Sequence, residues 1–471
     1  MAWKVAVVRL SKGADFAKNS GSVPFCMQSP LNLAFAAAVL PRLFSFPKHF
    51  HRLSNKRVRF HFFSFRYNKG VFKMKISTNP FFLTLFEALR GFRITGTIWV
   101  VLLLSRGFSL VDVGIAEGVF HVVSFLCEVP SGMLADLLGR KKTLLVSCLL
   151  ASASAFTMAF STHLLGVCLS FALEALSFNL ASGTLEALLY DSLKALDRES
   201  EYDKHSSRLL AAYSAMQAVS GLASYWVLKI GFFGAYFIAG LLSLVTFCIT
   251  LRLTEPFANS QRQEAEISHT HFGKRFALHC KQTAVFLAPR RALLGRMVLC
   301  GMFGAVSYLL QMYWQQMLLD IGLPSTLLGP VLCLFLLADV LGALCMPYMP
   351  SRFGTLCAVT VFPGALLCAF AGVPSLFFSI PCAFLSGFFC TVFLSRADTL
   401  LQPLYPSEMR ATVTSVDSMV YSVCMIVLSP VSGWLAERFG IALTLACLGG
   451  GTFLVYLLVL VRFFSELNRN S

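Results

Sequence analysis

Ionisable side chains set inside long apolar runs are the residues of this chain best placed to do chemistry. Glu87, Arg90 and Arg93 fall within Phe81–Leu104, Glu117 and His121 within Leu110–Ser131, and Glu174 near the midpoint of Leu164–Leu188. An ionised group at the middle of a bilayer costs about 2.5–3.5 kcal/mol even on a lenient scale, so each must be paired or must handle a charged species. Glu117 and His121 are four apart and share one helix face. A histidine, whose charge changes near neutrality, beside a buried carboxylate reads either as a proton site or as a hydrogen-bonded core contact. Gln311, Trp314 and Gln315 give amide and aromatic groups suited to a neutral or cationic organic ligand, although Trp314 also suits an interfacial aromatic belt.

These side chains need spanning helices to hold them, and the composition supplies such helices. Hydrophobic residues make up 56% of the 471 and charged ones only 13%, more apolar surface than a water-soluble chain could bury. Runs of about 20 apolar residues, enough to cross roughly 30 Å of hydrocarbon, recur after residue 80. Backbone groups in lipid must be satisfied internally, and the runs are too long and too uniformly apolar for barrel strands. The expectation is an all-α membrane protein of twelve transmembrane helices, near Phe81–Leu104, Leu110–Ser131, Thr143–Phe160, Leu164–Leu188, Leu209–Leu228, Phe232–Leu251, Leu293–Met317, Leu327–Pro347, Leu356–Ala371, Leu376–Leu394, Thr412–Leu435 and Ile441–Phe463. We refer to them as spans one to twelve.

Alternate connections hold most of the Lys and Arg, including Arg140, Lys141 and Lys142, the stretch from Arg252 to Arg296, and Arg352, Arg396 and Arg410. The positive-inside rule makes that side cytoplasmic, with both ends of the core inside. The long connection divides the core into residues 74–251 and 293–471, joined by a linker over 252–292 whose later part, Phe272 to Leu287, alternates apolar and basic faces and is expected to lie along the inner membrane surface. The halves echo one another in Ala181-Ser182-Gly183 against Leu385-Ser386-Gly387 and in Gly132…Arg140 against Gly342…Arg352-Phe353-Gly354, which implies two pseudo-symmetric six-helix bundles. Residues 1–73 stand apart. They carry thirteen Lys and Arg against one acid, Asp15, and are expected to be disordered or to reflect a mis-assigned start ahead of Met74.

One segment is more specific than the rest. Glu128-Val-Pro-Ser-Gly132-Met-Leu-Ala-Asp136-Leu-Leu-Gly139-Arg140-Lys141-Lys142 reads as a short basic loop between spans two and three. It resembles the signature loop G-x-L-A-D-x-x-G-R-K of the major facilitator superfamily. Ser182-Gly-Thr-Leu-Glu186-Ala-Leu-Leu-Tyr190-Asp191 resembles the end of helix four in bacterial multidrug and solute exporters of that superfamily, and Arg410-Ala-Thr-Val-Thr-Ser415 the start of helix eleven. Within the signature, Gly132 is read as permitting close packing and Gly139 a tight turn. Asp136 would face Arg140 or, as the resemblance suggests, the start of span eleven near Arg410, holding the two bundles together on the cytoplasmic side. Glu186, Tyr190 and Asp191 are read as gate partners of Arg140. The resemblance also implies that spans one, four, seven and ten line a central cavity. Arg93 and Glu174 would then face each other as an exchangeable pair, while Asp339 and Asp417 would pair away from the cavity near the cytoplasmic side.

The chain has no nucleotide-binding loop, no nucleophile elbow and no C-x-x-C, and its fifteen cysteines are scattered singly. His269, His271 and His279 in the linker are a weak metal signal. The expectation is a non-enzymatic secondary transporter with no cofactor, monomeric in the cell membrane. It would exchange protons for small amphipathic or drug-like solutes, and no nucleic acid would be its partner. Span five, Gln217-Ala-Val-Ser-Gly221-Leu-Ala-Ser-Tyr225, lacks the Gly-Pro motif usual in antiporters of the superfamily, so uptake of a nutrient or metabolite stays open. A receptor or scaffold that kept the fold without transporting is the reading from another class.

Overall fold

In the computed structural model, the described residues are 76–256, 285, 288–405 and 410–468, with side chains left out at 129, 133, 136, 137, 410–412 and 464–468. The expectations for residues 1–73, for the interfacial helix of the linker, for its histidines and for the side chains of Asp136 and Arg410 lie outside them.

Every regular element among the described residues is a helix. Ten are long and apolar enough to cross a membrane. Spans one and five complete the twelve, span one because it is broken and span five because Tyr202–Leu222 begins with a polar turn. The first span was expected to be continuous. It is two helices, Asn79–Gly91 and Trp99–Ser105, separated by Phe92–Ile98. The intervening residues include Ile94, Thr95, Gly96, Thr97 and Ile98, and β-branched residues and glycine are weak helix formers. At the end of the first piece Gly91 lets span five approach closely, since a Cβ there would lie 2.3 Å from the Tyr213 carbonyl oxygen. The Arg93 carbonyl, released from a helical ladder, accepts a hydrogen bond from Ser220 Oγ of span five at 2.6 Å.

Span four is interrupted as well, and a glycine separates spans five and six. Span four runs Leu164–Ala181 and resumes as Thr184–Lys194 after Gly183, which takes a φ of 72°. In Ser224–Thr250, Gly231 has φ 78° and ψ 174° and separates the close of span five from span six. Both angles are costly for residues with a Cβ. In the C-terminal half the helices Arg291–Asp320, Ser325–Cys345, Phe353–Ala371, Leu376–Leu401, Arg410–Phe439 and Ile441–Asn468 stay continuous, four of them with an internal proline, at Pro330, Pro363, Pro381 and Pro430. Ser386-Gly387 lies inside a continuous helix whereas Ser182-Gly183 breaks one, so the two pairs do not occupy equivalent elements.

The segment read as a basic loop is mostly helix. Span two extends over Leu110–Leu138 and span three starts at Arg140, so Gly139 alone, with φ 90°, makes the connection. Gly132 makes no close packing contact among the described residues, since a Cβ there would meet none of their atoms within 4 Å. Spans three and four are joined by two reciprocal serine pairs. Ser147 Oγ donates to the Ser177 carbonyl at 2.9 Å and Ser177 Oγ returns to the Ser147 carbonyl at 2.8 Å; Ser154 and Ser170 do the same at 2.9 Å each way. The seven-residue spacing on both antiparallel strands of this contact puts each small pair on the shared face and lets the backbones approach.

The two halves are sealed at the end opposite Arg140. Glu437 Oε2 accepts the Leu110 N–H at 2.9 Å, and Ser429 Oγ donates to the Gly114 carbonyl at 3.0 Å. Gly114 and Gly433 face each other so closely that a Cβ on either would lie 3.2 Å from the other's Cα. Span five meets span eight through Gly221 and Gly329, where a Cβ on Gly329 would sit 2.1 Å from the Gly221 oxygen.

Candidate functional site

Between the halves lies a cavity of about 720 Å³. Its deeper wall, towards the sealed end, includes Trp99, Tyr236, Gln311, Gln315 and Leu332, and its lining continues to Leu401, Asp398 and Asp417 towards the end that carries Arg140. The glycine-tight seams close one end while the helices diverge at the other.

Six of the nine pathway residues proposed from sequence line this cavity: Arg90, Arg93, Glu117, Glu174, Gln311 and Gln315. Arg93 projects from the break in span one, and its Nη2 is 2.6 Å from Glu174 Oε1. Glu174 Oε2 also accepts from Ser154 Oγ at 3.2 Å, which ties the carboxylate to span three. The two side chains are 45% and 33% exposed, an exposure to the cavity that leaves the pair open to competition from a solute or a proton.

The other three do not lie on the wall. Glu87 is buried and pairs with Arg90 Nε at 3.2 Å, one turn along the same helix. Arg90 also lies over the rings of Phe178 and Tyr213, at 5.9 and 5.5 Å. His121 is wholly buried in the seam between spans two and eleven, with Nε2 3.3 Å from Glu117 Oε1 and Nδ1 3.2 Å from Ser422 Oγ. Tyr308 of span seven hydrogen-bonds Glu117 from the other half, so this carboxylate joins both halves. Trp314 faces neither cavity nor lipid. It is fully buried, donates its indole N–H to Ser379 Oγ at 2.8 Å and meets the Phe335 ring edge-on.

Asp339 and Asp417 were expected to pair away from the cavity, and the structure corrects this. Both line it, together with Asp398, which sequence reasoning passed over. Span eight meets the other half at Gly329 and Cys333, and span eleven from Glu437 to Ser422; Asp339 and Asp417 lie beyond those contacts on the cavity lining. The signal for Asp398 was present, since Thr391, Ser395 and Asp398 recur at helical spacing on one face.

Near the Arg140 end, the expected gate residues form a clamp inside the N-terminal half. Arg140 Nη1 lies 2.6 Å from Asp191 Oδ2 and also donates to the Ala187 carbonyl. Glu186 is exposed and acts electrostatically on Arg90 and Glu87, not on Arg140, and Tyr190 packs against Tyr202 and Lys194. Glu255 was not anticipated. It accepts the backbone N–H groups of Arg140 at 2.9 Å and Lys141 at 2.8 Å, placing a negative charge on the positive end of span three. Lys141 Nζ reaches the Leu251 carbonyl at 2.9 Å, and Asn79 bonds Ser192 and Thr254, so the ends of spans one, three, four and six are fastened together.

Comparison with known proteins places this geometry in a family. The solved nucleoside transporter NupG matches with a TM-score of 0.66 at 14% identity, covering 83% of this chain and 99% of that one. A bacterial homolog to the human lysosomal transporter Spinster, in an inward-facing and occupied conformation, matches with a TM-score of 0.66 at 12% identity, covering 84% and 97%. In sequence, the uncharacterized MFS-type transporter YxaM of Bacillus subtilis (strain 168) is 22% identical over 372 residues, 76% of this chain and 89% of that protein. The family model described as Major Facilitator Superfamily matches residues 81–419. The chain is a multi-pass membrane transporter and belongs to the Major Facilitator Superfamily.

Proposed function

We propose that the protein is a proton-coupled antiporter that exports small amphipathic or drug-like solutes across a bacterial plasma membrane by alternating access. The Arg93–Glu174 pair carries this reading, because it bridges an unwound segment of span one to span four inside the cavity. Protonation of Glu174 would release Arg93, and the freed segment, held otherwise by the Ser220 contact, could then follow its bundle into the other orientation. By the positive-inside rule the Arg140 end is cytoplasmic, so the cavity described here faces inward and the glycine seams form the outer seal. The buried Glu117–His121 pair is the alternative proton site, supported by its hydrogen bonds to Ser422 and Tyr308 across the halves.

The test is accumulation of fluorescent solutes in a bacterial strain lacking its own efflux pumps, with and without this chain and with a protonophore. Lowered accumulation that the protonophore abolishes is expected. Raised accumulation would favour proton-coupled uptake, and ligand binding without flux in vesicles would favour a receptor.

A further inference from the structure

The two walls of the cavity differ in charge. On the N-terminal wall Arg93 is matched by Glu174 and Arg90 by Glu87. The C-terminal wall contributes Asp339, Asp398 and Asp417 and, among the described residues, no Lys or Arg to the lining. Among the described residues none of these three carboxylates is in an ion pair. Asp339 Oδ1 accepts from Thr391 Oγ1 at 2.5 Å and Asp398 Oδ1 from Gln402 Nε2 at 3.2 Å, while Asp417 lies within Coulombic reach of Asp398.

The carboxylates form a track, not a patch. Thr391 sets the level of Asp339, and Asp398 stands seven residues further along span ten, about 10 Å nearer the mouth. Asp339 follows Phe335 by one turn on the cavity face of span eight, and the Phe335 ring packs edge-on against Trp314, the neighbour of Gln315. Gln315 is an independent observation. It is 5% exposed, it lines the same cavity, and its Oε1 has no hydrogen-bond partner among the described residues. A buried carbonyl acceptor without a donor is uncommon, and the group that completes it must bring an N–H or O–H. A donor that is also welcome beside Asp339 is positively charged, and the aromatic rings of Phe335, Tyr308 and Trp99 on the lining suit both a cation and a flat apolar body.

We infer that the solute is an organic cation, an aromatic molecule bearing an ammonium or guanidinium group, whose N–H donors are shared between the Asp339 carboxylate and the Gln315 carbonyl, with Asp398 and Asp417 forming the approach. This rests on the transport reading for what the site is used for, but its test does not.

Three probes of one size differ in charge: 2-naphthylmethylammonium, 2-naphthylmethanol and 2-naphthoate. Binding of each to the purified full chain in detergent is measured by titration calorimetry. The ammonium is expected to bind at least tenfold more tightly than the alcohol, and the naphthoate more weakly than either. Asp339→Asn should lower ammonium affinity tenfold or more and leave the alcohol within twofold, a ratio that a merely structural role would not change. Where Asp339→Asn does not fold, Gln315→Leu is read by the same ratio. Alcohol or naphthoate binding as tightly as the ammonium, or both affinities falling together in the variant, overturns the inference. Flux of the same probes in proteoliposomes separates the two claims: binding of the ammonium with no movement of any probe removes transport and keeps the charge preference, whereas movement of the alcohol or naphthoate alone keeps transport and removes the preference.

Discussion

Adding one methyl group at Gly433 tests whether the glycine seams hold the sealed end. A Cβ there would stand 2.7 Å from the Leu110 carbonyl oxygen and 3.2 Å from Gly114 Cα, the first roughly 0.8 Å inside an ordinary contact. Both atoms are backbone of the opposite half, so no rotamer relieves the overlap and the halves must part. Overpacking of this size costs about 1–3 kcal/mol, equivalent to a shift of about 5- to 150-fold in the equilibrium between sealed and open seams. Gly114→Ala places its Cβ 2.5 Å from the Ser429 oxygen on the same contact and should cost a similar amount. The double variant should cost little more than either single, because one separation relieves both overlaps. Spin labels at Ser105 and Arg438, both exposed at the sealed end, would report the distance between halves by pulsed electron resonance in a chain cleared of its native cysteines. Each single variant should populate a longer distance. Gly240→Ala serves as control, since its Cβ would clash with Phe156 at 2.7 Å wholly within the N-terminal half. Additive costs, an unchanged distance, or an equal shift from Gly240→Ala would refute the assignment of the seams.

Three further outcomes are expected. Glu174→Gln should leave protein abundance normal but reduce proton-driven flux at least about 30-fold, taking about 2 kcal/mol for a pair of intermediate exposure; flux within a factor of two of the parent would remove Glu174 from the coupling step. Asp191→Asn strips a charged partner from Arg140 and should lower the melting temperature in detergent, with a loss of about 1.5–3 kcal/mol, and an unchanged melt would reduce the clamp to a surface contact. Trp314→Phe removes the indole donor to Ser379 and should cost about 1–3 kcal/mol of stability with the solute affinity nearly intact, whereas a lost affinity with a normal melt would put Trp314 back on the cavity wall.

The architecture was legible because it follows from a bulk property, the length and spacing of apolar runs, that no single contact can override. Pairs separated by one helical turn, such as Glu117 with His121, were legible for the same reason, since periodicity places them without knowledge of the fold. What was missed depends on how helices meet. Ile94, Thr95 and Gly96 are weak helix formers, but such residues also sit inside the continuous spans, and what marks this stretch out is its contact with Tyr213 and Ser220 from span five. Asp339 and Asp417 were misplaced because helix number was taken as a guide to what lines the cavity, and which faces of spans eight and eleven reach it is a tertiary fact. Glu255 carries no motif, and only the fold brings it to the start of span three. The serine pairs were legible in principle, since the spacings 147/154 and 170/177 match on adjacent spans, and their signal is the repeat and not the residue type.

The two halves divide the work by the way their helices are interrupted. In the N-terminal half spans one and four are opened outright, and a carbonyl so released, that of Arg93, is met by Ser220. The cost of an open helix in lipid is tolerable only where the freed groups face protein or a cavity, and Arg93 lies in such a place. In the C-terminal half the helices remain whole, so Asp339 and Asp398 stand at set positions along continuous spans. A wall of broken helices bearing a closed ion pair faces a wall of whole helices whose carboxylates have no ion-pair partner among the described residues. A cation entering between them would be attracted by the second wall without first breaking the Arg93–Glu174 pair, so capture and release of the pair can be separate events.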